Sequence, residues 1–476
     1  MNTFRLKITE SDFEELQQLV FRDMPQEAGA FALAGIAKSR ETTDILVRRH
    51  IVVPDEDFLV QNEAHLEVSS RAINGLVALC QANGLGAVLC HSHPDDSPYS
   101  TSDDHGESRV FRALRQFLPS EIPTASLLFY PGGIRGRVWF PNSDSPRPIS
   151  DIAVIGRRLK RVRNNGAEPL DLANAETFDR QVLAFGTEGQ ARIRATKVGI
   201  VGVGGTGSSV AEQLVRLGVK DLVIVDPDHL ERSNKTRVYG TFDSTFERPW
   251  WLPWKRGSSK VQVIKAHLKA IAPETNILAI PKSIVLEEAA RALLTRDVIF
   301  LCTDEHWGRS IVNQMAYQYL IPTINVGVRI DNQMGRISAA VGNIDVLRPD
   351  LPCLWCKQSL RAEQIRAESI PQSEREQLAR EGYVEGLDTK EPAVISLTTT
   401  VSSMAVTQFL QIVTDFMGAS GGVSRLNYDA MSGMVTRGAS TIPDKCICKK
   451  VRGFGDLKPL NALADDAPIA KQKRRY

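Results

Sequence analysis

The stretch Lys197-Val-Gly-Ile-Val-Gly202-Val-Gly204-Gly205-Thr206-Gly207 constrains this chain more than any other. An apolar run of strand character ends in a glycine turn, and Ser208 to Leu217 continues with apolar residues at helical spacing. Glycines there let the backbone turn sharply and approach a bound group, while the following helix start offers free amide donors to a phosphate. From Thr196 onward strand-like and helical runs alternate, which predicts a mostly parallel sheet covered on both faces.

Read literally, Gly202-x-Gly204-x-x-Gly207 is also a dinucleotide fingerprint, and Asp226, 19 residues past Gly207, stands where an acid would hold a ribose hydroxyl. The residues after Asp226 argue against a nicotinamide cofactor. Asp228, Asn234 and Arg237 follow closely, then Lys260 in Gly257-Ser-Ser-Lys260 and Asp304 after Phe300-Leu-Cys-Thr. Hydride transfer has no use for that set. Attack of a carboxylate on an α-phosphate does, because cations offset triphosphate charge and a carboxylate holds Mg2+.

A second constellation lies near the N-terminus. Ala87 to Cys90 reads as a buried strand, so His91 and His93 project from one side at its end. Two imidazoles there can share a cation. Asp103 or Asp104, ten and eleven residues past His93, can return after the turn-forming Pro94-Asp95-Asp96-Ser97-Pro98 as a third ligand, which is the open coordination of a hydrolytic zinc site. Glu27, ahead of another apolar run, is a candidate general base.

Of seven cysteines, Cys80, Cys90 and Cys302 lie alone in apolar sequence and read as buried thiols. The others form two tight pairs, Cys353-Leu-Trp-Cys356 and Cys446-Ile-Cys448, which read as metal ligands before disulfides.

The 476 residues suffice for two or three domains. Lys+Arg 58 against Asp+Glu 56 is too balanced to imply nucleic-acid or membrane binding, and no run approaches a membrane span. With acids at the start where a secretory signal needs an apolar run, a cytoplasmic protein is expected. The expected organisation is a metal-site domain over 1–140, a linker over 141–174 containing the basic run Gly156 to Arg163, a nucleotide domain over 175–452, and a mobile basic tail over 453–476. Within 1–140, strands are expected over Ile45 to Val53, Gly86 to Cys90, Ala125 to Tyr130 and Gly136 to Phe140, and helices over Ser11 to Arg22 and Glu67 to Ala82.

From Phe178 to about Cys448 the sequence resembles the ThiF/MoeB/E1 superfamily, which adenylates the C-terminal glycine of ubiquitin-like proteins. The resemblance implies a Rossmann-like domain in which Gly202, Gly204, Gly205 and Gly207 cradle ATP. Asp226 would hold the ribose, with Asp228 beside it; Asn234, Arg237 and Lys260 would contact phosphates, and Asp304 would serve Mg2+ and the adenylate. Arg180 matches an arginine sent into a partner subunit's site, which implies a homodimer. Cys353, Cys356, Cys446 and Cys448 match a structural zinc. Two departures stand out: a Trp250-Trp251-Leu-Pro-Trp254 insertion before Lys260, suited to partner contact or to packing, and no cysteine between Lys357 and Met404 to carry a thioester.

Glu27, His91-Ser-His93-Pro94 and the Ser100-Thr101-Ser102-Asp103-Asp104 run resemble the JAMM (MPN/JAB) metalloprotease family. That likeness implies a cytidine-deaminase-like α/β domain with zinc on both histidines and an aspartate, Glu27 as proton shuttle and a hydroxyl as oxyanion donor. The usual loop length assigns Thr101 and Asp104; a loop one residue shorter assigns Ser100 and Asp103. Together the halves resemble JAMM–E1 fusions of bacterial ubiquitin-like systems, which implies a ubiquitin-like substrate, an E2-like acceptor and a part in anti-phage defence. Sulfur-carrier activation for cofactor biosynthesis, or a non-catalytic scaffold, are the alternatives.

Overall fold

The computed structural model describes residues 3–140, 145–163, 175–246, 258–370, 374 and 392–460. The Trp250–Trp254 insertion and the tail beyond 460 lie outside them. The chain divides into two compact units, the first made of 1–169 with 317–320 and 449–459, the second of the remainder. No helix among the described residues is long and apolar enough to cross a membrane.

Among its described residues the first unit contains eleven strands. These are β1 (Thr3–Thr9), β2 (Gly29–Lys38), β3 (Thr42–Val52), β4 (Phe58–Gln61), β5 (Leu66–Val68), β6 (Gly86–Ser92), β7 (Thr124–Tyr130), β8 (Gly133–Trp139), β9 (Arg147–Pro148), β10 (Asp151–Ile155) and β11 (Leu159–Arg163). All but the β4–β5 pair form one sheet in the order β11-β10-β1-β3-β2-β6-β7-β8-β9. Strand alternation sorts the core onto two faces. Ala30, Ala32, Val88 and Cys90 join Leu6 and Ile8 beneath α1 (Glu10–Phe21), while Phe31, Leu33 and Ala87 join Leu76, Cys80, Phe111 and Leu114 of α2 (Ser70–Asn83) and α3 (Thr101–Phe117).

Two sequence expectations fail here. Residues 147–163, expected in a linker, add β9 to β11 to the sheet, and the end of the basic run becomes an edge strand on which Lys160 pairs with Glu10 and Arg161 with Asp151, each at 3.1 Å. Residues 453–459, expected in a mobile tail, pack within this unit: Gly455 bridges Ile36, and Phe454 is buried in the α2/α3 face of the core. β1 escapes the charge pattern because Arg5 and Lys7, which look solvent-facing, are buried against Asp44 at 2.7 and 3.1 Å.

The second unit begins with α4 (Asp179–Ala195), β12 (Lys197–Val201), α5 (Gly205–Arg216) and β13 (Asp221–Val225). It continues through β14 (Asn276–Ile280), β15 (Val298–Leu301), β16 (Thr323–Gln333), β17 (Arg336–Leu347), β18 (Arg425–Asp429) and β19 (Met434–Gly438). The sheet order is β14-β13-β12-β15-β16-β17-β18-β19. The first five positions are parallel and β17 to β19 are antiparallel, so the parallel expectation holds over the glycine-turn half and stops at β16. Chain order reverses at β12, whose neighbours β13 and β15 leave in opposite directions. The crevice beyond its carboxyl end is where such sheets bind ligands.

Candidate functional site

In the first unit, pairing of β2 with β6 sets Gly29 opposite His91, so Glu27 just ahead of β2 comes beside His93 just after β6. His93 Nε2 lies 3.5 Å from Glu27 Oε1. The second imidazole is oriented from behind, its Nδ1 lying 3.0 Å from the Ser97 hydroxyl. Asp103, in the first turn of α3, bridges the pair: its two oxygens lie 3.4 Å from His91 Nε2 and 3.4 Å from His93 Nε2.

Asp103 rather than Asp104 is thus the acid that the structure brings to the histidines, where the usual loop length favours Asp104 with Thr101. Ser100 is the N-cap of α3, in a capping box with Asp103. Successive helical residues point about 100° apart, so only one of two adjacent acids can face the histidines. Asp104 turns away to Arg137 Nη1 at 2.5 Å, and Thr101 is exposed. The Ser100 hydroxyl lies 2.7 Å from Asp103 Oδ2.

The electrostatics are those of a cation site. Burial opposes ionisation of Asp103, but the attraction of His91 and His93 overcomes it and holds the carboxyl well below its ordinary range. Burial pushes Glu27 up despite the pull of both histidines. For His93, burial is outweighed by Asp103 and Glu27, which raise it. His91 Nε2 is buried with no hydrogen-bond partner. An orphaned imidazole nitrogen and a second imidazole, each 3.4 Å from an ionised carboxylate and all three within 4.8 Å of one another, suit the ligand separation of a tetrahedral zinc site.

In the second unit, Gly202 takes a left-handed φ of 84°. A Cβ on Gly207 would lie 1.8 Å from the Gly202 carbonyl, so the turn closes only with glycine there. Asp226, buried at the end of β13, accepts the Val203 amide at 2.8 Å and the Asp228 amide at 2.9 Å, which ties the turn to its neighbouring strand. Burial raises the Asp226 carboxyl against the opposing charge of Lys260. Lys260 Nζ lies 2.8 Å from Asp228 and 3.9 Å from Asp226. Burial lowers this ammonium, but Asp226, Asp228 and the charge of Asp304 raise it on balance. Gly205 faces the aliphatic stem of Arg237, whose guanidinium donates to the Ser233 carbonyl at 2.8 Å. Asn234 is buried and its Oδ1 accepts the Glu231 amide, a local cap. Gly204 has open space around it. Arg180 is 89% exposed and pairs with Asp179 at 3.9 Å, and no contact among the described residues brings it to the turn.

The four paired cysteines also meet. Sulfur separations of 3.6 Å for Cys353–Cys356, 3.5 Å for Cys353–Cys446, 3.3 Å for Cys356–Cys446 and 3.9 Å for Cys356–Cys448 bracket the about 3.8 Å edge of a tetrahedral Zn–S4 site. The Cys448 thiol beside it lowers the Cys353 thiol, while burial pushes Cys356 up.

The sequence profile of the ThiF family matches residues 178–449, more than half of the chain. This chain belongs to the ThiF family. Among curated relatives, it is 25% identical to the SAMP-activating enzyme E1 of Haloferax volcanii over 189 residues, 39% of this chain and 63% of that one. It is 28% identical to ubiquitin-like modifier-activating enzyme 5 of Aedes aegypti over 204 residues, 38% and 47% of the two chains. It is 31% identical to the adenylyltransferase and sulfurtransferase UBA4 of Candida glabrata over 160 residues, 33% and 35%. The chain thus spans between about a third and just under two thirds of the length of these relatives.

Several residues of this ThiF-family chain carry no sequence signal. Glu368 accepts the His306 and Trp307 amides at 3.2 and 2.7 Å and so caps the helix that starts just after Asp304. No local capping pattern could reveal an acid 60 residues away. Arg309 donates to the Thr303 carbonyl at 2.8 Å from within that helix. In the first unit, buried Glu107 and Arg137 and half-buried Tyr99 form a group behind Asp103. Burial pushes the Cys302 thiol up to about 12, which disfavours a thiolate nucleophile there.

Proposed function

We propose that this chain uses ATP and Mg2+ to adenylate the C-terminal carboxylate of a small ubiquitin-like or sulfur-carrier protein, and that its N-terminal unit is a JAMM-type zinc hydrolase acting on the same protein or its conjugates. The grouping of Lys260 with Asp226, Asp228 and Asp304 beyond a glycine turn carries the first half. A substrate carboxylate oxygen attacks the α-phosphorus, an acyl–O–P bond forms, the bond to the β-phosphate breaks and pyrophosphate leaves. Lys260 and Arg237 offset phosphate charge, Asp226 holds the ribose, Asn234 contacts phosphate and Asp304 holds Mg2+. Gly204 gives the backbone room to meet the nucleotide.

For the hydrolase, His91, His93 and Asp103 hold the cation. Zinc, when bound, supplies Lewis-acid polarisation of the scissile carbonyl. Glu27, with its carboxyl raised by burial, takes a proton from water and returns it to the leaving amine. Ser100 takes the oxyanion-donor place expected of Thr101. A second zinc on Cys353, Cys356, Cys446 and Cys448 is structural. A cytoplasmic homodimer, in which the exposed Arg180 reaches a second copy, and an E2-like acceptor complete the reading.

ATP–pyrophosphate exchange with candidate small proteins tests the first half. Exchange should need such a protein and fall at least about 100-fold in Asp304→Ala; exchange that needs no protein, or survives the substitution, rules activation out. Glu27→Ala should abolish removal of a C-terminal extension and leave exchange intact, and equal loss of both contradicts separate sites. The sulfur-carrier form of the reading is favoured by one feature, the lack of any cysteine from Lys357 to Met404 to accept the acyl group.

A further inference from the structure

We infer that Arg137 is a positioning residue that sets Asp103 against the two histidines, an inference resting on the reading of His91, His93 and Asp103 as metal ligands. Asp103 reaches both imidazoles only if the first turns of α3 are held against the sheet. Ser100 caps that helix from within but does not tether it. The tether is Arg137 on β8, whose Nη1 meets Asp104 at 2.5 Å and whose Nε meets Glu107 Oε2 at 2.9 Å. These acids lie at i and i+3 on α3, immediately after Asp103, so one guanidinium grips two successive turns.

The Glu107 end of the grip and the guanidinium are themselves fixed, while Asp104 is half-exposed. Glu107 Oε2 also accepts Trp139 Nε1 at 2.6 Å and the Ser126 hydroxyl at 2.8 Å. The guanidinium lies 3.6 Å over the Tyr99 ring, and that ring packs 5.8 Å from the ring of His91. Arg137 is 7% exposed. A planar fork that binds two carboxylates and stacks on an aromatic face is a task lysine cannot reproduce.

The sign of the effect separates positioning from electrostatics. A buried cation near a metal site repels the metal, so removing its charge alone tightens binding. Loss of positioning weakens it. The test is a Co2+ titration of the metal-depleted full-length chain, in which intense thiolate absorption reports the cysteine site and weak ligand-field bands report the histidine site. Arg137→Lys keeps the charge and loses the fork. Arg137→Met/Glu107→Gln removes one charge of each sign, and the glutamine still accepts from Trp139 and Ser126, which guards against misfolding.

Both variants should bind cobalt about 10–100-fold more weakly at the histidine site, with the cysteine site unchanged and a cooperative unfolding transition retained. Affinity equal to or tighter than that of the parent in both overturns the inference while leaving the ligand assignment standing. A parent protein with no cobalt outside the cysteine site overturns the ligand assignment itself.

Discussion

Replacing Phe454 by alanine tests whether the C-terminal segment is a structural part of the first unit. β6 begins at Gly86, opposite Ala34, so β2 from Gly35 to Lys38 has no strand partner on that side. Residues 453–456 fill the gap. Gly455 bridges Ile36, the Asp456 amide donates to the Ile36 carbonyl at 2.6 Å, and the Lys38 amide donates to Asp456 Oδ2 at 2.7 Å. A Cβ on Gly35 would lie 2.3 Å from the Gly453 carbonyl, so the approach is close enough to need glycine. Phe454, 6% exposed, shares a core cluster with Phe31, Leu33 and Leu76, and the Arg48 guanidinium lies 4.3 Å over its ring. Full truncation of such a phenylalanine costs about 3–5 kcal/mol, and a strap held by few hydrogen bonds can retreat, so about 3 kcal/mol is the working figure. In a unit of this size that lowers the melting temperature by about 6–12 °C. Calorimetry of the full chain should show the transition of the first unit moving by that amount while the other stays. A shift below about 2 °C, or one confined to the second unit, refutes the assignment of this segment.

Gly207→Ala forces its Cβ onto the Gly202 carbonyl at 1.8 Å, so the turn moves by more than an ångström and ATP–pyrophosphate exchange should drop about 100-fold. Gly204→Ala meets nothing within 4 Å, so it should fold normally and raise the KM for ATP; an unchanged KM means no phosphate approaches that position. At Asp44, burial is overcome by Lys7 and Arg5, so the folded carboxyl titrates below the ordinary value of 3.8. Its stabilisation is therefore complete above that value and lost as pH falls through it toward the folded value. Asp44→Asn should cost about 3–5 kcal/mol at neutral pH, because two cations are left buried, and should flatten the acid limb of a pH–stability curve of the first unit; an unaltered limb contradicts the account.

The glycine-turn half of the fold is legible because its signals are backbone requirements. Gly202 at positive φ and Gly207 against a carbonyl admit no other residue, so sequence and structure state the same constraint. The strands Gly86 to Cys90 and Ala125 to Tyr130 are legible for another reason, since mostly apolar runs belong inside a sheet covered on both faces, and Ile45 to Val53 is legible from the β-branched residues on either side of Arg48, Arg49 and His50. β1 and β11 were hidden by charge. In β1 the buried partner of Arg5 and Lys7 lies about forty residues away, at Asp44. In β11 the charge run imitates a linker because the partners of Lys160 and Arg161, Glu10 and Asp151, lie outside the run. The helix expected from Glu67 starts later because Leu66–Val68 pairs with Phe58–Gln61 first, and Ser69 then caps α2.

The choice between Asp103 and Asp104 shows where motif spacing runs out. Counting along a loop fixes how far an acid can reach, and both acids reach. What decides is the angle at which each leaves α3, and that angle depends on where the helix begins. Ser100 fixes the start by accepting the Asp103 amide, and Asp103 returns to the Ser100 amide at 2.6 Å. The same acid that closes the capping box therefore faces the histidines. Its neighbour, one step round the helix, is left for Arg137. A capping box is itself a sequence pattern, with a hydroxyl residue followed three positions later by an acid. Ser100 to Asp103 and Thr101 to Asp104 both satisfy it, so the tie is broken by Arg137 and Glu107, which hold Asp104 away from the imidazoles.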